Sequence, residues 1–218
     1  MKPSTSDFLH QVLTLLAHER PLFHSEADFQ HSLALQVKEA YPLSTVRLEW
    51  PFRENVDSKR AYLDMLVHAP NGDSIAVELK YRTCPLTLQI FGEEYELADQ
   101  GSQDTGRHDF IKDIRRLEAL VITGASTHGI AIMLTNDPRY WTPSKSDSTH
   151  DAAFRLHGGR TIEGKLAWSA SASTGTTQER DLILRLQGKY ELNWENYSTP
   201  SSVGFGTFRY LAVEAKST

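Results

Sequence analysis

The segment AYLDMLVH (Ala61 to His68), followed across Pro70-Asn71-Gly72 by SIAVELKY (Ser74 to Tyr81), decides the fold. Both halves read as strands. The first is nearly continuous in apolar residues, and the second puts Ile75, Val77, Leu79 and Tyr81 on one face and Ala76, Glu78 and Lys80 on the other. The turn between them sets their register. A two-residue Asn71-Gly72 turn would bring Asp64 opposite Leu79, on the wrong face. A three-residue loop uses Pro70 at the first turn position and Gly72 in the left-handed one, and it brings Asp64 opposite Glu78 and Tyr62 opposite Lys80. The second register fits the residues better. Facing Cβ atoms in such a pair lie roughly 4.5–5.5 Å apart. Two carboxylates at that distance, in a sheet rich in Val, Ile and Leu, repel unless a cation lies between them. Lys80 supplies one positive charge. A hard divalent ion such as Mg²⁺, with Mn²⁺ as a substitute, is the other answer, because it takes oxygen ligands and keeps several waters. Such an ion polarises a phosphoryl oxygen and helps generate hydroxide, with Lys80 orienting or deprotonating the attacking water.

Working outward, helical spacing predicts a first helix over Ser6 to His18, stopped by Pro21. A second begins after His24, with Ser25 as N-cap and Asp28 three residues on. Its stripe is Glu26, Phe29, Gln30, Leu33 and Val37, so Glu26 lies in line with the apolar face. Glu26 also suits the first turn of a helix on dipole grounds alone. TVRLEW (Thr45 to Trp50) precedes the two central strands. After them, LTLQIF and EEYEL around Gly92 read as an inserted hairpin over Leu86 to Leu97. A helix from Gln103 to Ile122 and the buried strand GIAIMLT follow. Beyond Asn136 the segments KLAW, LILRLQGKYELNW and FRYLAVEA predict three or four antiparallel strands. The chain is thus expected to be a single α/β domain over 1–218, with a core over about 22–136 and a C-terminal antiparallel β extension over about 155–218.

The whole sequence agrees with a globular protein: 218 residues, 39% hydrophobic, 10% aromatic and 23% charged. The one cysteine, Cys84, excludes a disulfide framework and a Cys-based zinc finger. FLHQVLTLLA is interrupted by His10 and Gln11 and reads as neither signal peptide nor membrane span, so a soluble, cytoplasmic chain without a membrane partner is expected. The net charge of −5 argues against a nucleic-acid coat protein but leaves room for a local basic cleft. No zincin, nucleophile-elbow, P-loop or dinucleotide-binding pattern occurs.

The order of a helix with Glu26, then Asp64, then Glu78-Leu79-Lys80, then a helix and a strand resembles the PD-(D/E)XK nuclease superfamily, over about Phe23 to Thr135. Leu63 stands where the superfamily's name has Pro. The resemblance implies a restriction-endonuclease-like αβββαβ core with a mixed central sheet. It also implies a Mg²⁺-dependent endonuclease that hydrolyses phosphodiester bonds of nucleic acid, DNA foremost. By the same resemblance, Asp64 and Glu78 hold the metal, the carbonyl of Leu79 joins them, Glu26 completes the site and Lys80 serves the water. Many members act as homodimers.

Tyr81 and Arg82, just after the motif, and Gln30, one turn beyond Glu26, are placed to contact substrate. On the later helix, Gln103, Arg107, Lys112, Arg115 and Arg116 offer contacts to phosphates, but Asp104, Asp109, Asp113 and Glu118 balance them, so a solvated face of intrahelical pairs is the preferred reading. The tail aromatics Trp168, Tyr190, Trp194, Tyr197, Phe208 and Tyr210 offer stacking faces for unpaired bases, but filling the core of a second small sheet is the preferred reading. The alternative to an enzyme is a catalytically inactive nuclease-like binding or regulatory module.

Overall fold

Residues 5–53, 60–146, 148–180 and 183–215 are described by a computed structural model. Two helices open the chain, α1 (Thr5–Glu19) and α2 (Glu26–Ala40). Ser25 caps α2, its side chain accepting from the Asp28 N–H at 3.1 Å. Three antiparallel strands follow: β1 (Thr45–Phe52), β2 (Ala61–His68) and β3 (Ser74–Arg82). The β2–β3 ladder pairs His68 with Ser74, Val67 with Ile75, Leu66 with Ala76 and Met65 with Val77. The Ala69 N–H closes the turn on the Asp73 carbonyl at 2.9 Å, and Gly72 has φ +91°. This is the three-residue Pro70-Asn71-Gly72 loop in the expected register, but the ladder ends at Met65–Val77, so the expected pairs Asp64–Glu78 and Tyr62–Lys80 do not form, and Tyr62 pairs with Pro51 of β1 instead.

A hairpin, β4 (Leu86–Ile90) and β5 (Glu93–Leu97), precedes the long helix α3 (Gln103–Ile122). Strand β6 (His128–Thr135) then returns parallel to β3. Parallel neighbours need a crossover of this length, and α3 supplies it. The remaining elements are β7 (Thr161–Leu166), a short α4 (Thr174–Thr177), β8 (Leu184–Glu191), β9 (Trp194–Ser198) and β10 (Phe208–Ala215). The central sheet is mixed and six-stranded, in the order β1-β2-β3-β6-β10-β9.

Apolar residues fill both sides of this sheet. Val12, Leu16, Phe29 and Leu33 of α1 and α2 pack against Met65, Val77 and Leu79 on one face. Phe110, Ile114 and Leu117 of α3 pack with Leu66, Ala76 and Met133 on the other, joined by Leu184 and Leu186 of β8.

Two expectations change here. The tail does not build its own sheet: β10 pairs antiparallel with β6, β9 extends the edge, and only β7 and β8 stand apart as a hairpin. Its aromatics are therefore shared, with Tyr197, Phe208 and Tyr210 in the α1–α2 core and Tyr190 and Trp194 in the α3 core. Leu182, at the start of one predicted segment, lies outside the described residues. Nor is α3 a solvated polar face, since Arg107, Asp113 and Glu118 are buried. Among the described residues no helix is long and apolar enough to cross a membrane.

Glu118 shows what such a buried charge does. Its carboxylate accepts from the main-chain N–H groups of Gln187 (3.0 Å) and Gly188 (2.7 Å) and from the Tyr190 hydroxyl (2.7 Å), fastening β8 to α3. Glu118→Ala removes the acceptor and should destabilise the protein by about 2 kcal/mol in denaturant unfolding, whereas Glu118→Gln, which keeps an oxygen there, should cost clearly less.

Candidate functional site

The site grows from a change of face in the β1–β2 hairpin. Val46, Leu48, Met65 and Val67 pack toward α1 and α2. By strict alternation Trp50, Phe52 and Leu63 would do the same, yet they pack with the α3-side core. The switch occurs at Glu49 and Asp64, between the pairs Leu48–Met65 and Trp50–Leu63. Glu49 carries the backbone cost, with φ +49°, a conformation that residues other than glycine seldom adopt. Gln30 spans the switch, its amide donating to the Asp64 carbonyl at 2.6 Å and to the Glu49 carboxylate at 2.9 Å.

Past Met65–Val77 the hairpin peels away from β3, and the fork leaves N–H groups of β3 without a strand partner. Carboxylates take them. The Leu79 N–H donates to Asp64 Oδ2 at 2.6 Å, and the Tyr81 N–H donates to Glu26 Oε2 at 2.8 Å. Glu78 and Lys80 project toward α3. Arg116 Nη1 lies 2.6 Å from Glu78 Oε1 and 3.3 Å from Asp113 Oδ1. The Lys80 ammonium lies 2.9 Å from Asp113 Oδ2 and donates to the Leu79 carbonyl at 2.9 Å.

Four carboxyl groups and two cations thus converge. Glu78 and Asp113 are buried, while Glu26, Asp64 and Lys80 are partly exposed. Burial raises the Glu78 carboxyl to about 8, with Asp113 and Asp64 adding repulsion that Arg116 only partly offsets. Burial also raises Glu26 and Asp64, against the Tyr81 and Leu79 N–H groups and Lys80. Burial alone would lower Lys80, but Asp113 and Glu26 overcome it and hold the ammonium above its ordinary value.

Glu26, Asp64, Glu78, Leu79 and Lys80 are therefore brought to one place. The three substrate-contact expectations fare differently. The Tyr81 ring is buried between Phe23 and Phe208, and its hydroxyl accepts from the Phe23 N–H at 3.2 Å, so Tyr81 belongs to the core and cannot meet a substrate. Gln30 is buried and spends its amide on Glu49 and the Asp64 main chain, so it positions the acid instead of touching a ligand. Arg82 is partly exposed and donates to the Gly101 carbonyl (2.9 Å) and the Tyr140 hydroxyl (3.3 Å). Asp113 and Arg116 are the residues the sequence reading missed. A signal existed, because Asp113 stands three residues after Phe110 and four before Leu117, within the buried stripe of α3.

Among the described residues, no three His, Cys, Asp or Glu side chains are already grouped around one ligand point. The contacts above give the reason: Arg116 holds Glu78, Lys80 holds Asp113, and main-chain N–H groups hold the other two acids. Four acids meet two bases here, and with the Glu78 carboxyl raised to about 8 the three ionised acids leave a surplus of one negative charge at neutral pH, which grows to two where Glu78 gives up its proton. No family model, no curated protein and no solved structure matches the chain.

The raised carboxyls fix a pH dependence. Glu26, Asp64 and Glu78 bind protons more tightly in the folded than in the unfolded chain, so between about pH 4.5 and 8 the native state carries more protons. In chelator, stability should fall as pH rises through that window and level off above it. Asp64→Asn keeps an oxygen for the Leu79 N–H and removes one charge. Thermal melts should show a shallower fall for this variant, and at pH 8 a stability equal to or above wild type by ~1 kcal/mol.

Proposed function

We propose that the chain is a Mg²⁺-dependent endonuclease acting on nucleic acid, DNA in the first instance, with a restriction-endonuclease-like core of α2, β1–β3, α3 and β6. The observation that carries this reading is the convergence at the β2–β3 fork of four carboxyl groups, Glu26, Asp64, Glu78 and Asp113, on two cations, Lys80 and Arg116, with three of the carboxyls raised by burial.

In this reading Asp64, Glu78 and the Leu79 carbonyl hold Mg²⁺ or Mn²⁺ with help from Glu26. Asp64 Oδ2, Glu26 Oε2 and Glu78 Oε1 are taken by the Leu79 N–H, the Tyr81 N–H and Arg116, and a cation would replace the hydrogen bond between Asp64 and Glu78. When bound, the ion supplies positive charge that polarises a phosphoryl oxygen and acidifies water. Gln30 sets the direction of Asp64 through its main-chain carbonyl. Lys80 stays an ammonium, since Asp113 and Glu26 favour its charged form. It would act as a donor that orients the attacking water or a phosphate oxygen, while the proton of that water goes to bulk solvent and the leaving oxygen takes one up from it. Arg116 neutralises Glu78 and also reaches Asp113.

The Arg116–Glu78 contact also favours a second reading, a nuclease-like module that binds without turnover, because it leaves Glu78 already satisfied. Incubation with plasmid, single-stranded DNA and RNA in Mg²⁺ or Mn²⁺ separates the two. Cleavage of at least one substrate is expected, and Lys80→Ala should lower its rate about 10²–10³-fold while leaving metal affinity, read by calorimetry, nearly unchanged. Metal binding by wild type with no cleavage of any of the three would select the module.

A further inference from the structure

Glu78, Lys80 and Arg82 share the α3-facing side of β3, so Arg82 stands one step beyond Lys80 on the same face. At a rise of about 3.3 Å per residue their Cα atoms lie roughly 6.6 Å apart. Lys80, Arg116, Arg107 and Arg139 are each paired with a carboxylate, that of Asp113, Glu78, Asp151 and Asp137 respectively. Arg82 is not. Among the described residues its guanidinium meets only neutral oxygens, Nη2 donating to the Gly101 carbonyl at 2.9 Å and Nε to the Tyr140 hydroxyl at 3.3 Å. Nη1 has no such partner and is not buried. Burial raises the Tyr140 phenol, so the hydroxyl stays neutral and leaves the charge of Arg82 uncancelled. Tyr140, 1% exposed, sits where a side chain at Gly106 would go: a Cβ there would strike the Tyr140 hydroxyl and lie 3.4 Å from Arg82 Nε. A glycine inside a helix lowers stability relative to alanine, and in α3 the missing side chain makes room for the hydroxyl that holds Arg82.

The geometry points to Arg82 as a contact for the nucleic-acid backbone, taking the phosphate next to the one that Lys80 faces, with Tyr140 and Gly106 as the residues that position it. A guanidinium held by two neutral acceptors keeps its full charge and a fixed direction for an incoming anion. One already paired with a carboxylate has to give up one anion to take another. A backbone phosphate brings one negative charge, which one unpaired arginine matches. The side chain is held before the ligand arrives, so it loses less freedom on binding. The fork beside it is rich in acid, and a strand crossing it gains from a cation at the rim. Placing this phosphate beside the scissile one rests on the nuclease reading. The contact with a backbone phosphate holds equally for a module that binds without turnover.

The full-length chain is titrated against a labelled DNA duplex and a labelled single strand in Ca²⁺, a cation that oxygen ligands also take, over a range of salt concentrations. Fluorescence anisotropy reads binding, thermal melts read folding, and cleavage in Mg²⁺ or Mn²⁺ reads kcat and KM. Arg82→Gln should weaken binding about tenfold and make the slope of log affinity against log salt shallower by about one, because one phosphate contact is gone. In cleavage its loss should fall mainly on KM, the opposite of Lys80→Ala. Arg82→Lys keeps the charge and should restore the slope and most of the affinity. Tyr140→Phe keeps the ring and the arginine but removes the hydroxyl, and it should retain the wild-type slope while binding about threefold more weakly. A wild-type salt slope in Arg82→Gln, an Arg82→Lys that binds no better than Arg82→Gln, or a wild type that binds neither DNA overturns the proposal. Should Arg82→Gln fail to fold, Tyr140→Phe decides, and wild-type affinity there overturns it. Salt-dependent binding through Arg82 by a chain that cleaves nothing would remove the nuclease reading and leave this contact standing. Cleavage with unchanged KM and slope in Arg82→Gln would do the reverse.

Discussion

Where β2 leaves β3, the Leu79 and Tyr81 N–H groups lose their strand partners, and everything at the fork follows from how they are satisfied. A buried N–H left unpaired costs about 1–3 kcal/mol, so the separation of the strands needs acceptors. Carboxylates are the strong choice, since charged acceptors make shorter and firmer hydrogen bonds. Once Asp64 and Glu26 serve this purpose, Glu78 on the same strand becomes a third acid in a confined space. Lys80, Asp113 and Arg116 then form a chain of alternating charge that ties β3 to α3. The geometry of the sheet and the chemistry of the site are one arrangement.

The same helix anchors two ion-paired clusters. Near its middle Asp113 bonds Lys80, and near its start Arg107 bonds Asp151. Both are partly enclosed by apolar packing, so neither is screened as a surface patch would be.

What was legible in the sequence was legible for identifiable reasons. Pro70-Asn71-Gly72 specifies one loop type, and a loop type specifies a register, so the placement of Asp64 beside Glu78 could be derived before any coordinates. The N-cap of α2 and the span of α3 were equally local. Asp113 and Arg116 were not, because helical spacing tells which residues share a stripe but not which charged neighbours of that stripe will meet a strand. The face change at Glu49 and Asp64 was hidden too, since alternation alone continues unbroken through both residues. The partner of β10 is a matter of topology, and period-two patterning carries no information about which strand lies alongside. Tyr81 was misread because a residue next to a polar motif looks exposed, while its position on the Leu79 face already assigned it to the α1–α2 core.

The inserted hairpin β4–β5 is tied at its base. The Gln100 N–H donates to the Thr83 carbonyl at 2.9 Å, and the Thr83 hydroxyl donates to the Ala98 carbonyl at 2.7 Å, so the chain leaves β3 and returns through nearly one point. Anything grown between these residues sees fixed ends and transmits little change to α3 beyond them. The outer part, with Phe91 at the tip 86% exposed, is free to lengthen, shorten or exchange sequence while Leu86, Tyr95 and Leu97 keep their places in the core. The closed base makes this hairpin a cassette, the part of the molecule that can diversify at the rim of an otherwise fixed scaffold.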